Sequence, residues 1–235
     1  MKVNEAVNTV VIEGDFPTTQ FTIEASNAAF DILSSALYSD KELAVIRELS
    51  CNAYDSHKLA GKADTPFDVH LPTYVEPYFY VEDYGVGLSD DQVMKLYTTY
   101  FSSTKSKSNE FIGGLGLGSK SPFCKTESFL VISTYNGIRT TYTAYKDDAG
   151  IPSISKLVSE SVDAPNGVKI QIDINSSEFR IWEEKCSDYY VTFSPRPNFL
   201  GKMPYIRDDL ASKAELSGDK WRIHKVDRYS STNKN

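Results

Sequence analysis

The chain has 235 residues and a mass of 26.3 kDa, with 40% hydrophobic residues, enough for one large domain with a sizeable core. Its net charge of -7 excludes a surface that is basic throughout, of the kind that coats DNA. Three distant cysteines (Cys51, Cys124, Cys186) and three scattered histidines (His57, His70, His224) argue against a disulfide framework and a His/Cys metal site, and no apolar stretch nears the roughly 18 residues of a membrane span.

In chain order, residues 7–13 and 20–25 read as short strands around a turn at 15–17. Over residues 26–40, Phe30, Leu33 and Leu37 fall at helical spacing. Asp40 is placed to cap a second helix that runs to about Leu59 and is closed by Gly61. Residues 66–71 and 77–82 are strand-like, 90–101 helical, and 102–110 polar and charged. After a glycine run over 112–122, residues 128–135 and 137–145 form two strands joined at Asn136-Gly137, a strong hairpin signal. Residues 152–158 and 168–174 continue an antiparallel sheet. An amphipathic helix follows over 178–193, with Phe179, Trp182, Cys186, Tyr190 and Phe193 three or four apart. The segment SPRPNFLGKMP reads as a loop, so one domain is expected over residues 1–195, with a linker or the start of another over 196–235. The fold class is α+β in two layers, helices on one face of a mixed, mostly antiparallel sheet.

Three patches carry chemistry. In RELSCNAYDSH, Glu48, Asn52 and Asp55 share a helical face at i, i+4 and i+7. A glutamate there can polarise a water as general base, with Arg47 tuning it, and an asparagine four residues on offers Mg2+ a neutral oxygen. In VEDYGVGLS, Asp83 enters a turn with Gly85 and Gly87 and can accept a hydrogen bond from the exocyclic amine of adenine. The third patch is the run Gly113, Gly114, Leu115, Gly116, Leu117, Gly118, followed by Ser119 and Lys120, whose amides can face a triphosphate. It has neither Walker A spacing nor the strand lead-in of a dinucleotide fingerprint. Just upstream, Ser103, Thr104 and Lys105, with Lys107, supply hydroxyls and cations on a segment able to close over a ligand. Taken singly, the patches also read as a solvated helix face, an acidic turn and a flexible linker. In this order, they point to a nucleotide pocket.

The set resembles the GHKL ATPases, the superfamily of DNA gyrase B, the ninety-kilodalton heat-shock chaperone, sensor histidine kinases and MutL. ELSCNAYD matches its N box, DYGVG its first glycine box and GGLGLGS its second. Val168 stands where that superfamily usually has a threonine supporting the adenine-binding aspartate. More specifically, TIEASNAAFDILSSALYSDKELAVIRELSCNAYDSH, FSSTKSKSNEFIGGLGLGSKSPF and ESFLVISTYNGIRTTYTAYKDDAGIPSI are similar to the N-terminal region of the rapid-lysis A (rIIA) proteins of tailed phages, over about residues 15–200. Those relatives run longer, so the chain resembles their ATPase half.

The resemblance implies a Bergerat fold over about residues 5–195 with ATP and Mg2+ as ligands. Glu48 would activate the attacking water, Asn52 bind Mg2+, Asp83 hold the adenine amine, and Asp55 support that pocket through water. It also implies ATP hydrolysis, slow where a γ-phosphate lysine is missing, a nucleotide-dependent homodimer, and a role in lysis timing or in resisting host exclusion. Gyrase-type relatives use a lysine from a following domain on the γ-phosphate, and no such lysine is recognisable here. The alternative is therefore a nucleotide-gated module that docks to a host protein or membrane with little turnover. A phosphotransferase comes last, because no phosphoacceptor helix is evident and His57 lies inside the nucleotide helix. The locally basic tail KWRIHKVDRYSSTNKN has a composition that can bind nucleic acid or an anionic membrane, but nucleic acid is not the favoured partner. The expected location is cytoplasmic, in a host cell if phage-encoded, with a peripheral membrane association as the variant.

Overall fold

The computed structural model describes residues 26, 29–30, 32–33, 38–99, 117–207, 216–218 and 221–223. The strands expected over 7–13 and 20–25, much of the helix expected over 26–40, the closing segment at 102–110 and most of the basic tail lie outside the described residues.

The helix expected after Asp40 forms as α1, Lys41–Leu59. The Asp40 carboxylate accepts from the Leu43 amide at 3.1 Å, Glu42 sits in the first turn and Lys58 in the last, each the sign its helix end favours. Beyond the helix, Gly61 takes φ +72, where a side chain would be strained. The apolar face of α1 buries Val45, Ile46, Leu49 and Ala53. These pack beneath a sheet built from β1 (Asp68–Leu71), β2 (Tyr78–Glu82), β3 (Ser128–Tyr135), β4 (Ile138–Lys146), β5 (Pro152–Ser161), β6 (Gly167–Asp173) and β7 (Asn198–Gly201).

The sheet order is β5-β4-β3-β6-β2-β1-β7, antiparallel throughout except for the parallel β1–β7 pair. Burial alternates along β2, where Phe79 and Val81 face the core between the partly exposed Tyr78, Tyr80 and Glu82. The β3–β4 hairpin turns where the sequence placed it, with Asn136 at φ 50 and Gly137 at φ 76, the two positive values that a two-residue turn matched to strand twist requires. Between β2 and β3 lie α2 (Asp90–Thr98), closed by a Ser89–Gln92 capping box, and a seven-residue 3-10 helix, Gly118–Cys124.

A second helix, α3 (Phe179–Tyr189), joins α1 on the same face. Its Trp182 is fully buried with its ring 4.6 Å from Phe79, and the hydroxyl of Tyr190, just past its end, meets Ser50 of α1 at 2.7 Å. The arrangement is the two-layer α+β architecture expected.

Two expectations are corrected. The last helix is shorter than 178–193: a 3-10 turn, Ser176–Glu178, precedes it, and the chain leaves the helix after Tyr189, ahead of Pro195 and Pro197. The stretch read as a loop contains β7, which pairs residue for residue with β1 from Asp68↔Asn198 to Leu71↔Gly201. The sheet therefore continues past residue 195. The small sheet of β8 (Leu216–Gly218) and β9 (Trp221–Ile223) follows in the chain.

Candidate functional site

One face of α1 carries Glu48, Asn52, Asp55 and Ser56, at i, i+4, i+7 and i+8. Glu48 and Asn52 are partly exposed and Asp55 is fully buried. Facing the C-terminal half of α1, the chain leaves β2 and turns through Asp83, Tyr84, Gly85 and Val86.

Asp83 is only 6% exposed. Its Oδ1 accepts from Ser56 Oγ at 2.7 Å and from the Gly85 amide at 2.9 Å, while its own amide donates to the Val168 carbonyl at 2.9 Å. Burial, the largest influence, pushes this carboxyl up to about 6, against the pull of the Ser56 hydroxyl and the Gly85 and Val168 amides. Lys169 and Arg139 line the same cavity, but no cation is among the influences on the Asp83 titration. Gly85 is required by contact: a Cβ there would lie 2.2 Å from Ser56 Oγ and 2.5 Å from Ser56 backbone atoms. Gly87 holds φ +67 as the turn runs toward α2.

Sequence reasoning passed over two residues that hold this turn. Besides bonding Asp83, Ser56 Oγ accepts from the Val86 amide at 3.3 Å. His57, fully buried, accepts the Tyr84 amide on Nε2 at 2.8 Å, so its proton sits on Nδ1 and is donated to the Thr65 carbonyl at 2.9 Å. Burial foremost lowers its pKa, consistent with that neutral tautomer. Lys62 adds a bond from Nζ to the Tyr84 carbonyl at 2.8 Å. The signal for Ser56 was present in the sequence, because a hydroxyl one turn beyond Asn52 shares its face. His57 had none, since its partners come from another element.

At the other end of the face, Arg47 Nη2 donates to Glu48 Oε1 at 2.9 Å, with side-chain exposures of 49% and 24%. Glu48 Oε2 reaches toward Gly118, where an added Cβ would stand 2.4 Å from it. The start of the 3-10 helix, at the last glycine of the run, is thus brought against the carboxylate. Beside Gly118, Ser119 Oγ is buried with no hydrogen-bond partner among the described residues, and Leu117 accepts the Lys120 amide at 2.9 Å.

Lys120, expected on the phosphate side, is placed elsewhere. Its Nζ donates to the carbonyls of Leu96 and Thr99 at 2.5 and 2.8 Å, closing the C-terminal end of α2. It is 1% exposed, and burial lowers its pKa to about 8. Ser103, Thr104, Lys105, Gly113, Gly114, Leu115 and Gly116 lie outside the described residues.

As a ligand set for Mg2+, the face offers oxygens: the Asn52 amide and, one turn away, the Glu48 carboxylate. Among the described residues there is no cluster of three or more His, Cys, Asp or Glu side chains that would form a cage. Such a donor set fits a magnesium ion that keeps its waters and takes most of its remaining ligands from phosphate oxygens. Among the described residues, no helix is long and apolar enough to cross a membrane. No protein-family model matches the chain, and no curated protein matches it.

Proposed function

We propose that the chain is a Mg2+-dependent ATP-binding domain of the GHKL type, similar to the N-terminal region of phage rapid-lysis A proteins, that hydrolyses ATP slowly. The observation that carries this reading is Asp83: a buried carboxylate whose titration no cation among the described residues influences, both of its bonds to Ser56 and Gly85 falling on one oxygen. Packing gains nothing from such a group, and a buried acid kept near neutral pH is where a ligand-reading role is sought. An ionised carboxylate only accepts hydrogen bonds, which matches the 6-amino group of adenine.

Along the same face, the triphosphate would extend from Asp83 past Asn52 toward Glu48 and Gly118. Asn52 would hold Mg2+, which neutralises charge on the phosphate oxygens. Glu48 takes a proton from water as the water oxygen attacks the γ-phosphorus. The bond to the β,γ-bridging oxygen breaks, and ADP and phosphate leave. Arg47 engages Oε1 and leaves Oε2 on the Gly118 side. Ser119 contributes an unpartnered hydroxyl next to the phosphate path.

One observation favours low turnover. Lys120 spends donors on the end of α2, so it supplies no cation to the γ-phosphate in this arrangement. A nucleotide-gated interaction module is therefore the second reading, and the two share one pocket. The resemblance extends the proposal to a cytoplasmic role in lysis timing or resistance to host exclusion, with a nucleotide-dependent homodimer.

Phosphate release separates the readings. Steady release by wild type, falling at least a hundredfold in Glu48→Ala while ATP still binds, supports hydrolysis. Binding with no release from wild type moves the conclusion to the second reading.

A further inference from the structure

We infer that Ser56 is a specificity-determining positioning residue: by donating its hydroxyl to Asp83 it fixes that carboxylate as an acceptor and makes the site choose a 6-aminopurine over a 6-oxopurine. This rests on the reading of Asp83 as the group that meets the base.

Residue 168, which in GHKL proteins usually brings a supporting hydroxyl from a strand, is Val168 here and has none to give. Its backbone still serves, accepting the Asp83 amide at 2.9 Å. The hydroxyl comes instead from the opposite element, α1, through Ser56 Oγ at 2.7 Å. The direction of that bond is set on both sides. The Val86 amide can only donate, so it occupies a lone pair of Ser56 Oγ at 3.3 Å and leaves the hydroxyl proton for Asp83. Gly85 makes the approach possible, since a Cβ at that position would stand 2.2 Å from the same oxygen. A directed relay thus runs from Val86 through Ser56 to Asp83 Oδ1, and the Gly85 amide ends on the same oxygen.

With these donors on Oδ1, a proton on the carboxyl is disfavoured and the group presents acceptors. A 6-amino group finds a partner there. A 6-oxo group meets a second acceptor, and the mismatch leaves buried polar atoms unpaired. Without the Ser56 hydroxyl the acid holds its proton to higher pH, and a protonated carboxyl can donate to a 6-oxo oxygen. Other charged or titratable groups around the turn are Glu82, which raises the Asp83 pKa and is paired with Lys169 of β6 at 2.7 Å; Arg139 of β4, which lines the same cavity as Asp83 and Lys169; Tyr97 of α2, whose phenol feels the Asp83 charge; the Tyr84 hydroxyl, which donates to Asp68; neutral His57 on the Tyr84 amide; and Lys62 on the Tyr84 carbonyl. A change confined to residue 56 removes none of them.

The test compares wild type, Ser56→Ala and Ser56→Thr. Alanine is the best helix former and position 56 is partly exposed, so the variant keeps its fold, checked by thermal melting. Two measurements are made: carbon-detected titration of the Asp83 carboxyl without nucleotide, and Mg·ATP and Mg·GTP affinities at pH 6.0 and 7.5. The inference predicts that Ser56→Ala raises the Asp83 titration above that of wild type and narrows the ATP:GTP affinity ratio about tenfold, the scale of one charge-assisted bond, most at pH 6.0. Ser56→Thr restores both. An unchanged titration and ratio in folded Ser56→Ala overturns it. If wild type binds neither nucleotide, the ATP reading and the specificity assignment fall together, while the carboxyl titration still decides the Ser56–Asp83 bond.

Discussion

The two ends of the polar face on α1 are held to different standards. At the Ser56 end, four hydrogen bonds from Ser56, His57 and Lys62 tie the helix and its following turn to residues 83–86, and Asp83 and His57 are buried. At the Glu48 end, the carboxylate accepts one hydrogen bond among the described residues, from an Arg47 that is itself half exposed. The first end is tied down and carries a buried carboxyl that is costly to keep, as the proposed recognition role requires. The second end leaves Glu48 room to adjust, as the proposed hydrolytic role requires. Under the proposed function, recognition is built into the fold, whereas the chemistry waits on side-chain placement.

The largest effect expected is on stability, from Asp83→Asn. The Asp83 carboxyl titrates at about 6 in the fold against 3.8 unperturbed, so the folded state holds its proton more tightly than the unfolded state. The destabilisation is absent below pH 3.8, grows as pH rises toward 6 and is complete above it. It amounts to about 3 kcal/mol. Asp83→Asn, which keeps an oxygen acceptor for Ser56 and Gly85, is expected to be more stable than wild type at pH 7.5 by up to that amount. Urea melts at both pH values check this, and the gain vanishes near pH 3.8. A loss of stability at pH 7.5 would break the contrast between a costly end and a cheap one.

An intermediate effect is expected from Gly118→Ala. The added methyl meets the far end of a flexible side chain, so Glu48 swings aside at little cost to the fold. Turnover falls roughly tenfold, about 1.4 kcal/mol of transition-state stabilisation, while the melting temperature and ATP affinity hold. A melting temperature that drops with turnover would show the Glu48 end to be as rigid as the other.

The smallest effect belongs to Arg47→Ala. An exposed pair of this kind is worth about 0–1 kcal/mol, so turnover changes by less than about fivefold and stability hardly moves. Steady-state rates in low and high salt sharpen the estimate, because the wild-type contribution is screened and the variant has none to lose.

Much of the frame was readable from local signals. Asp40 and Gly61 bracket α1, its apolar residues fall on one face, and Asn136-Gly137 forces the β3–β4 hairpin. These work because cap, period and turn chemistry act within a few residues. The strand β7 was hidden because four residues between Pro197 and Lys202 carry little periodicity and become a strand only against β1. Within the candidate site, the placement of Glu48 and Asn52 on one face of α1 and of Asp83 in a glycine turn was legible by type and spacing. The use of Lys120 was not, since its partners are carbonyls at the end of α2, 21 and 24 residues away in sequence. Ser56 lay in between: its face was computable, but its partner 27 residues on was not.

The central claim is that Asp83 reads an adenine. Isothermal titration of Mg·ATP into wild type and Asp83→Asn at pH 7.5 tests it most directly. The account predicts saturable one-site binding by wild type and at least a hundredfold weaker binding by a folded Asp83→Asn. Equal binding by the two proteins, or none by wild type, would contradict it.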